Sequence, residues 1–202
     1  MVPEDMTPQE RLRAYRLKRR AEQSRQPSDT STAGSHERLP MFVVQRHDAR
    51  NLHFDMRLEI DGVLVSWAVP KGPSLNPSDK RLAHRTEDHP MEYLDFEGRI
   101  DEGYGSGTVI VWDIGRYENL TEIGGRPVAA AEALALGHIK VELHGRKLTG
   151  AFALTHTRMG GDEANWMLVK VDVAAADRRR RPAATQEESV LTGRTDSDLE
   201  PH

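Results

Sequence analysis

Four residues in the stretch HDARNLHFDMRLEIDG (47–62) could do chemistry together: His47, His53, Asp55 and Arg57. Two imidazoles and a carboxylate offer three donor atoms to one divalent ion and leave coordination positions open. That set suits Mn²⁺, Fe²⁺ or, at times, Zn²⁺. Arg57 adds a planar cation whose fork matches phosphate or carboxylate, so metal and arginine together point to an anionic substrate. His53, Asp55 and Arg57 are spaced by two, which in a strand puts them on one face, about 6.6 Å apart along the chain. DARN reads as a turn, so His47 folds back toward them. A solvated strand face with an internal salt bridge could carry the same residue types. The full spacing H-x5-H-x-D-x-R favours a functional site.

The elements that must position these residues are legible around them. From Leu52, every second residue is apolar: Leu52, Phe54, Met56, Leu58 and Ile60. Asp61-Gly62 between alternating runs signals a hairpin with a two-residue turn. That turn pairs Ile60 with Val63, Leu58 with Val65, Met56 with Trp67 and Phe54 with Val69, apolar against apolar throughout. It also sets Ser66 opposite Arg57 and Ala68 opposite Asp55, small residues that leave room above the polar row. Further strands are expected at RLAHRT, TVIVWD, HIKVEL, LTGAFALTH and NWMLVKV, and a short helix at PVAAAEALALG. The chain therefore reads as mainly β, an antiparallel barrel or sandwich with one or two short helices.

A second stretch, RTEDHPMEYLDFEG (85–98), carries His89 before Pro90, which favours an extended or turn conformation. Tyr93 follows. Both side chains can donate to a phosphate oxygen, and a histidine can protonate a leaving group; a loop packed on the barrel is the alternative. Lys71, in the rigid loop VPKGPS, could face an anion or solvent. EGYGSGTV has neither P-loop nor dinucleotide spacing and reads as a turn into a strand. His84, His138, His144 and His156 have no partner at ligand spacing.

The 202 residues contain no cysteine, which excludes disulfides and thiolate metal sites. A formal net charge of −4 makes the molecule no polycation. Its basic charge is local: seven Lys/Arg against four Asp/Glu in residues 1–25, and the run Arg178 to Arg181. The expected organisation is a basic N-terminal helix and flexible linker over 1–37, a β domain over 38–173, and a disordered tail over 174–202. No early apolar run serves as a signal peptide and none is long enough to span a bilayer, so a cytoplasmic protein is expected.

FVVQRHDARNLHFDMRLEIDGVLVSWAVPKGPSLNPSDKRLAHRTEDHPMEYLDFEG, with GTVIVWDIGRYE, KLTGAFALTHTR and NWMLVKV, closely resembles the phosphoesterase domain of bacterial DNA ligase D, from Phe42 to Val171. The resemblance implies a small closed antiparallel β-barrel that heals 3' ends during non-homologous end joining. It implies a manganese-dependent diesterase step that removes a 3'-terminal ribonucleotide, and a monoesterase step that leaves a 3'-OH. Mn²⁺ is the implied cofactor, with Zn²⁺ or Co²⁺ as alternatives. By position, His47, His53 and Asp55 become metal ligands, and Arg57, His89 and Tyr93 contacts to the scissile phosphate; His89, from its residue type, is the candidate general acid. Lys71, Arg81 and Glu87 become substrate-pocket residues. The implied partners are DNA or DNA–RNA 3' ends and an end-joining ligase, polymerase or Ku-type protein, with no membrane. In AYRLKRRAEQSRQP, Tyr15, Lys18 and Arg19 match the family, whereas Arg20 and Gln26 stand where acids associated with the monoesterase step are expected. A 3'-phosphate product is therefore expected to accumulate. No K-x-D-G nucleotidyl motif is present, so a free-standing or excised form is expected. The rivals are a non-catalytic end-binding module of a repair complex and a non-heme iron oxygenase, which uses the same ligand set.

Overall fold

The computed structural model describes residues 38–101, 105–157, 159–171 and 176–200. The basic segment and linker over 1–37, with Arg20 and Gln26, lie outside the described residues. The strands are β1 (Met41–Asp48), β2 (His53–Ile60), β3 (Val63–Val69), β4 (Arg81–Arg85), β5 (Gly98–Ile100), β6 (Gly107–Asn119), β7 (Glu122–Ile123), β8 (Arg126–Pro127), β9 (His138–His144), β10 (Thr149–His156) and β11 (Asn165–Lys170). Among the described residues two short helices accompany them, α1 (Ala130–Ala135) and α2 (Pro182–Thr185). Eight strands pair in the order β1-β2-β3-β4-β11-β10-β9-β6, and β6 returns to β1, closing an antiparallel barrel. β5 adds to β6 outside the closed ring, and β7 and β8 form a separate hairpin. Closure leaves the eight-stranded ring with no open edge.

The hairpin has the register its turn implies. Asp61 and Gly62 both take positive φ, 50° and 75°, the geometry of a primed two-residue turn. Ile60 lies opposite Val63, Met56 opposite Trp67 and Phe54 opposite Val69. These side chains enter one core with Phe42, Trp112, Phe152 and Trp166. Phe42 and Phe152 are fully buried, which contributes roughly 1.5–3 kcal/mol each.

The alternate residues face outward, yet several are buried. Segment 86–97 lies over them. His89 and Leu64 exchange a pair of backbone hydrogen bonds (2.8 and 2.9 Å), and Thr86 N donates to the Ser66 carbonyl at 3.0 Å. A 3₁₀ turn at Met91–Tyr93 carries this cover across β1 to β5.

Residues 176–200 correct the expectation of a disordered tail. They form α2 and a 3₁₀ turn at Asp196–Leu199, and they pack on the barrel. Trp112 Nε1 donates to the Gln186 carbonyl at 2.5 Å, Val190 N to the Val111 carbonyl at 2.9 Å and Lys147 Nζ to the Glu188 carbonyl at 2.5 Å. These polar anchors, together with buried Pro182 and with Ala183 packed on the core, hold this segment, and they have no sequence period. Among the described residues, no helix is long and apolar enough to cross a membrane.

Candidate active site

The end of β1 and the start of β2 bring His47 directly opposite His53, with Asp55 opposite Gln45. The imidazole centroids are 4.7 Å apart. His47 Nδ1 lies 3.6 Å from Asp55 Oδ2, and His53 Nε2 lies 3.7 Å from Asp55 Oδ1. One donor atom from each of the three residues falls within 4.8 Å of the others, the one such group among the described residues. The other ring nitrogens are anchored. His47 Nε2 is 2.9 Å from the Gly105 carbonyl and His53 Nδ1 is 2.9 Å from the Asn51 carbonyl. A carbonyl only accepts, so each anchored nitrogen carries the proton. The lone pairs then sit on His47 Nδ1 and His53 Nε2, beside the carboxylate, as a metal site requires. His53 is the open edge, its side chain 24% exposed against 8% for His47.

Burial alone would raise the Asp55 pKa, but its contacts with the neighbouring side chains, the permanently charged Arg57 among them, outweigh it and hold the pKa below the usual carboxylate value. Asp55 is thus an ionised oxygen donor. The donor set fits a divalent ion that accepts nitrogen and oxygen ligands, Mn²⁺, Zn²⁺ or Co²⁺ among them.

Arg57 joins this group to the covering segment. Its Nε donates to Gln45 Oε1 at 2.8 Å, and Nη1 faces Ser66 Oγ and His89 Nδ1, both at 2.8 Å. Nη2 donates to Asp55 Oδ2 at 3.1 Å. A guanidinium has five N–H bonds, so one Nη2 N–H has no protein partner among the described residues. Burial lowers the Arg57 pKa, opposed by Asp55 and Tyr93, but a guanidinium remains charged. Burial first, then Arg57, pulls the His89 pKa from 6.5 down to about 4, so His89 is neutral near pH 7. Its Nδ1 also lies 2.9 Å from the Glu87 carbonyl. One nitrogen cannot accept from Arg57 and donate to Glu87 at once. The permanent cation decides: Nδ1 accepts, and Nε2 carries the proton. Tyr93 stacks edge-on against His89, centroids 5.0 Å apart.

The six residues His47, His53, Asp55, Arg57, His89 and Tyr93 thus gather on one outer patch of the barrel. The room above Ser66 is taken by His89, 3.5 Å from Ser66 Oγ. Lys71 and Arg81 make no hydrogen bond or ion pair with this group. They line a separate cleft of about 350 Å³ with Ser74, Asp79 and Arg181, where Arg81 Nη2 donates to Asp79 at 2.9 Å. Glu87 enters through its backbone carbonyl against His89, and its side chain is exposed. Sequence reasoning missed Gln45. It is fully buried, accepts from Arg57, and donates Nε2 to the Tyr93 and Phe96 carbonyls, both at 3.0 Å. The signal was available: Gln45 sits two residues before His47, on the same strand face.

Residues 45–156 match the model of the DNA Ligase D 3'-phosphoesterase domain. The multifunctional non-homologous end joining protein LigD of Pseudomonas aeruginosa is 43% identical over 187 residues, 91% of this chain and 21% of that protein. The protein of the same name in Mycolicibacterium smegmatis is 40% identical over 166 residues, 78% of this chain and 20% of that protein. The multifunctional non-homologous end joining DNA repair protein LigD of Mycobacterium tuberculosis is 44% identical over 149 residues, 73% of this chain and 18% of that protein. The chain spans about a fifth of the length of these relatives. The match runs through every residue of the patch, and the chain belongs to the DNA ligase D 3'-phosphoesterase domain family.

Proposed function

We propose that this chain is a divalent-metal-dependent 3'-phosphoesterase that trims 3'-terminal ribonucleotides and/or 3'-phosphates from DNA or DNA–RNA ends during non-homologous end joining. One observation carries the reading. Three lone pairs converge at the His47–His53–Asp55 corner, and the Asp55 carboxylate there is bridged by Arg57 to His89, within one patch. Family membership supports the reaction class and leaves the oxygenase reading without support.

His47 Nδ1, His53 Nε2 and an Asp55 oxygen would hold Mn²⁺, or Zn²⁺ or Co²⁺. Such an ion supplies charge neutralisation at the phosphate and acidifies a water. Around it, Arg57 offers its unused Nη2 N–H to a phosphate oxygen, a fixed donor aimed where negative charge grows. Neutral His89 offers Nε2–H, and the Tyr93 hydroxyl offers a third donor. With its pKa near 4, His89 is better suited to donate a hydrogen bond to the phosphate than to act as the general acid that its residue type suggests. Lys71 and Arg81 contact the nucleic-acid strand leading away from the end, through the backbone phosphates, and Glu87 sets the His89 loop. Partners in this role are an end-joining ligase, a polymerase or a Ku-type protein.

The test is a 5'-labelled primer–template ending in one ribonucleotide, incubated with the chain and Mn²⁺, or with EDTA. Nucleotide release with Mn²⁺ and none in EDTA is expected. Equal release in EDTA would refute the metal role, and no release under either condition would favour a non-catalytic end-binding module.

A further inference from the structure

A strap of chain beyond the family match, residues 186–199, grips both limbs of the candidate site. Asp196 is buried, 5% exposed, at the start of a 3₁₀ turn that a Thr195–Asp198 capping box holds in place. One carboxylate oxygen pairs with Arg46 Nη1, and the other accepts from Thr108 Oγ1 at 2.9 Å. Arg46 is the chain neighbour of His47. Thr108 adjoins Val109, which lies opposite His47 on β6, and it follows the loop whose Gly105 carbonyl accepts the hydrogen bond of His47 Nε2. The two pieces of backbone that set the place and tautomer of His47 therefore converge on one carboxylate. There is no slack between them: a Cβ on Gly107 would lie 2.2 Å from the Asp48 carbonyl oxygen. The other acid near Arg46, Glu187, is 3.8 Å away on a side chain 63% exposed, a weak substitute. The strap also backs the phosphate limb. Glu97 accepts from Ser189 Oγ, from Thr192 Oγ1 at 2.7 Å and from Val111 N at 2.8 Å, one residue from the Phe96 carbonyl that Gln45 holds.

We propose that Asp196 is a positioning residue for His47, holding the metal limb in its ligating geometry from behind the strand. The proposal rests on the reading of His47 as a metal ligand. Loss of an outer partner of a ligand typically weakens metal affinity by 10–100-fold; Asp196 acts one step further back, so about tenfold is expected.

The experiment is calorimetric titration of Mn²⁺ alone into the full chain. Wild type is compared with Asp196→Asn, Thr108→Val and Arg146→Ala, which removes a strap bond to the Val190 carbonyl and leaves Asp196 alone. Asp196→Asn should weaken Mn²⁺ binding about tenfold, Thr108→Val by a smaller factor in the same direction, and Arg146→Ala not at all. The Mn²⁺ concentration for half-maximal activity should rise in step with the dissociation constant. If Asp196→Asn does not fold, Thr108→Val decides, because it keeps the Arg46 pair. Wild-type affinity in the folded variants, or an equal loss in Arg146→Ala, overturns the proposal while the metal reading stands. A wild-type chain that binds no Mn²⁺ overturns both.

Discussion

Replacing Gln45 with leucine keeps the volume of a fully buried side chain and deletes its hydrogen bonds. Arg57 Nε loses its acceptor, and the Tyr93 and Phe96 carbonyls lose their donor. An unmet charged donor costs about 1.5–3 kcal/mol and each carbonyl about 1 kcal/mol, roughly 3–5 kcal/mol together. In a chain of this size 1 kcal/mol lowers Tm by about 2–4 °C, so a fall of roughly 10–15 °C is expected. Activity should drop separately. The segment carrying His89 and Tyr93 loses its tie to β1, and a displacement of about 1 Å in a reacting group costs on the order of 10²-fold in rate. Thermal melts give the first quantity, and kcat/KM on a labelled 3'-ribonucleotide primer gives the second. A Tm within about 2 °C of wild type, with kcat/KM within about twofold, would show that the Gln45 bonds neither stabilise the cover nor position it.

Arg57→Lys keeps the charge and loses the fork, so about a 10²-fold fall in kcat is expected in steady-state assays; a fall of less than about threefold would contradict the assigned contacts. His89→Ala should reduce kcat/KM far more than His84→Ala, whose exposed ring bonds Asn165 and faces Asp162; equal effects would remove His89 from the site. Because the His89 pKa is depressed from 6.5 to about 4, the unfolded chain binds this proton first as pH falls. Stability should therefore decline from about pH 6.5 toward pH 4, and His89→Gln should show a shallower decline in pH-dependent melts; identical slopes would contradict the burial of a neutral imidazole. With Arg20 and Gln26 in place of acids, a primer with one 3' ribonucleotide should yield a 3'-phosphate that accumulates on denaturing gels; 3'-OH product forming as fast as the phosphate would contradict it.

The hairpin was legible because two independent signals agree on it: Asp61-Gly62 sets the turn, and the alternation from Phe54 to Val69 sets the faces. Once the register is known, His53, Asp55 and Arg57 fall in one row, and the turn after His47 brings it opposite His53. Gln45 was equally legible in type and period, two residues before His47. What could not be read was contact across long stretches of chain. Thr108 and Asp196 are 88 positions apart, and Glu97 and Ser189 are 92 apart. Such bonds involve single polar residues in a segment without apolar periodicity, so the strap looked structureless. Likewise, the separation of Lys71 and Arg81 into their own cleft depends on where α2 docks, since Ala183 packs against Gly72.

The most direct measurement is Mn²⁺-dependent removal of a 3'-terminal ribonucleotide by wild type and by His53→Ala, with circular dichroism confirming the folded barrel in both. His53 is the exposed member of the cluster, partly open at the strand start, so its loss spares the core. Wild type should cleave, and His53→Ala should fall by on the order of 10²-fold or more, with Mn²⁺ binding lost. A folded His53→Ala chain that cleaves at the wild-type rate would contradict a metal-dependent phosphoesterase centred on His47, His53 and Asp55.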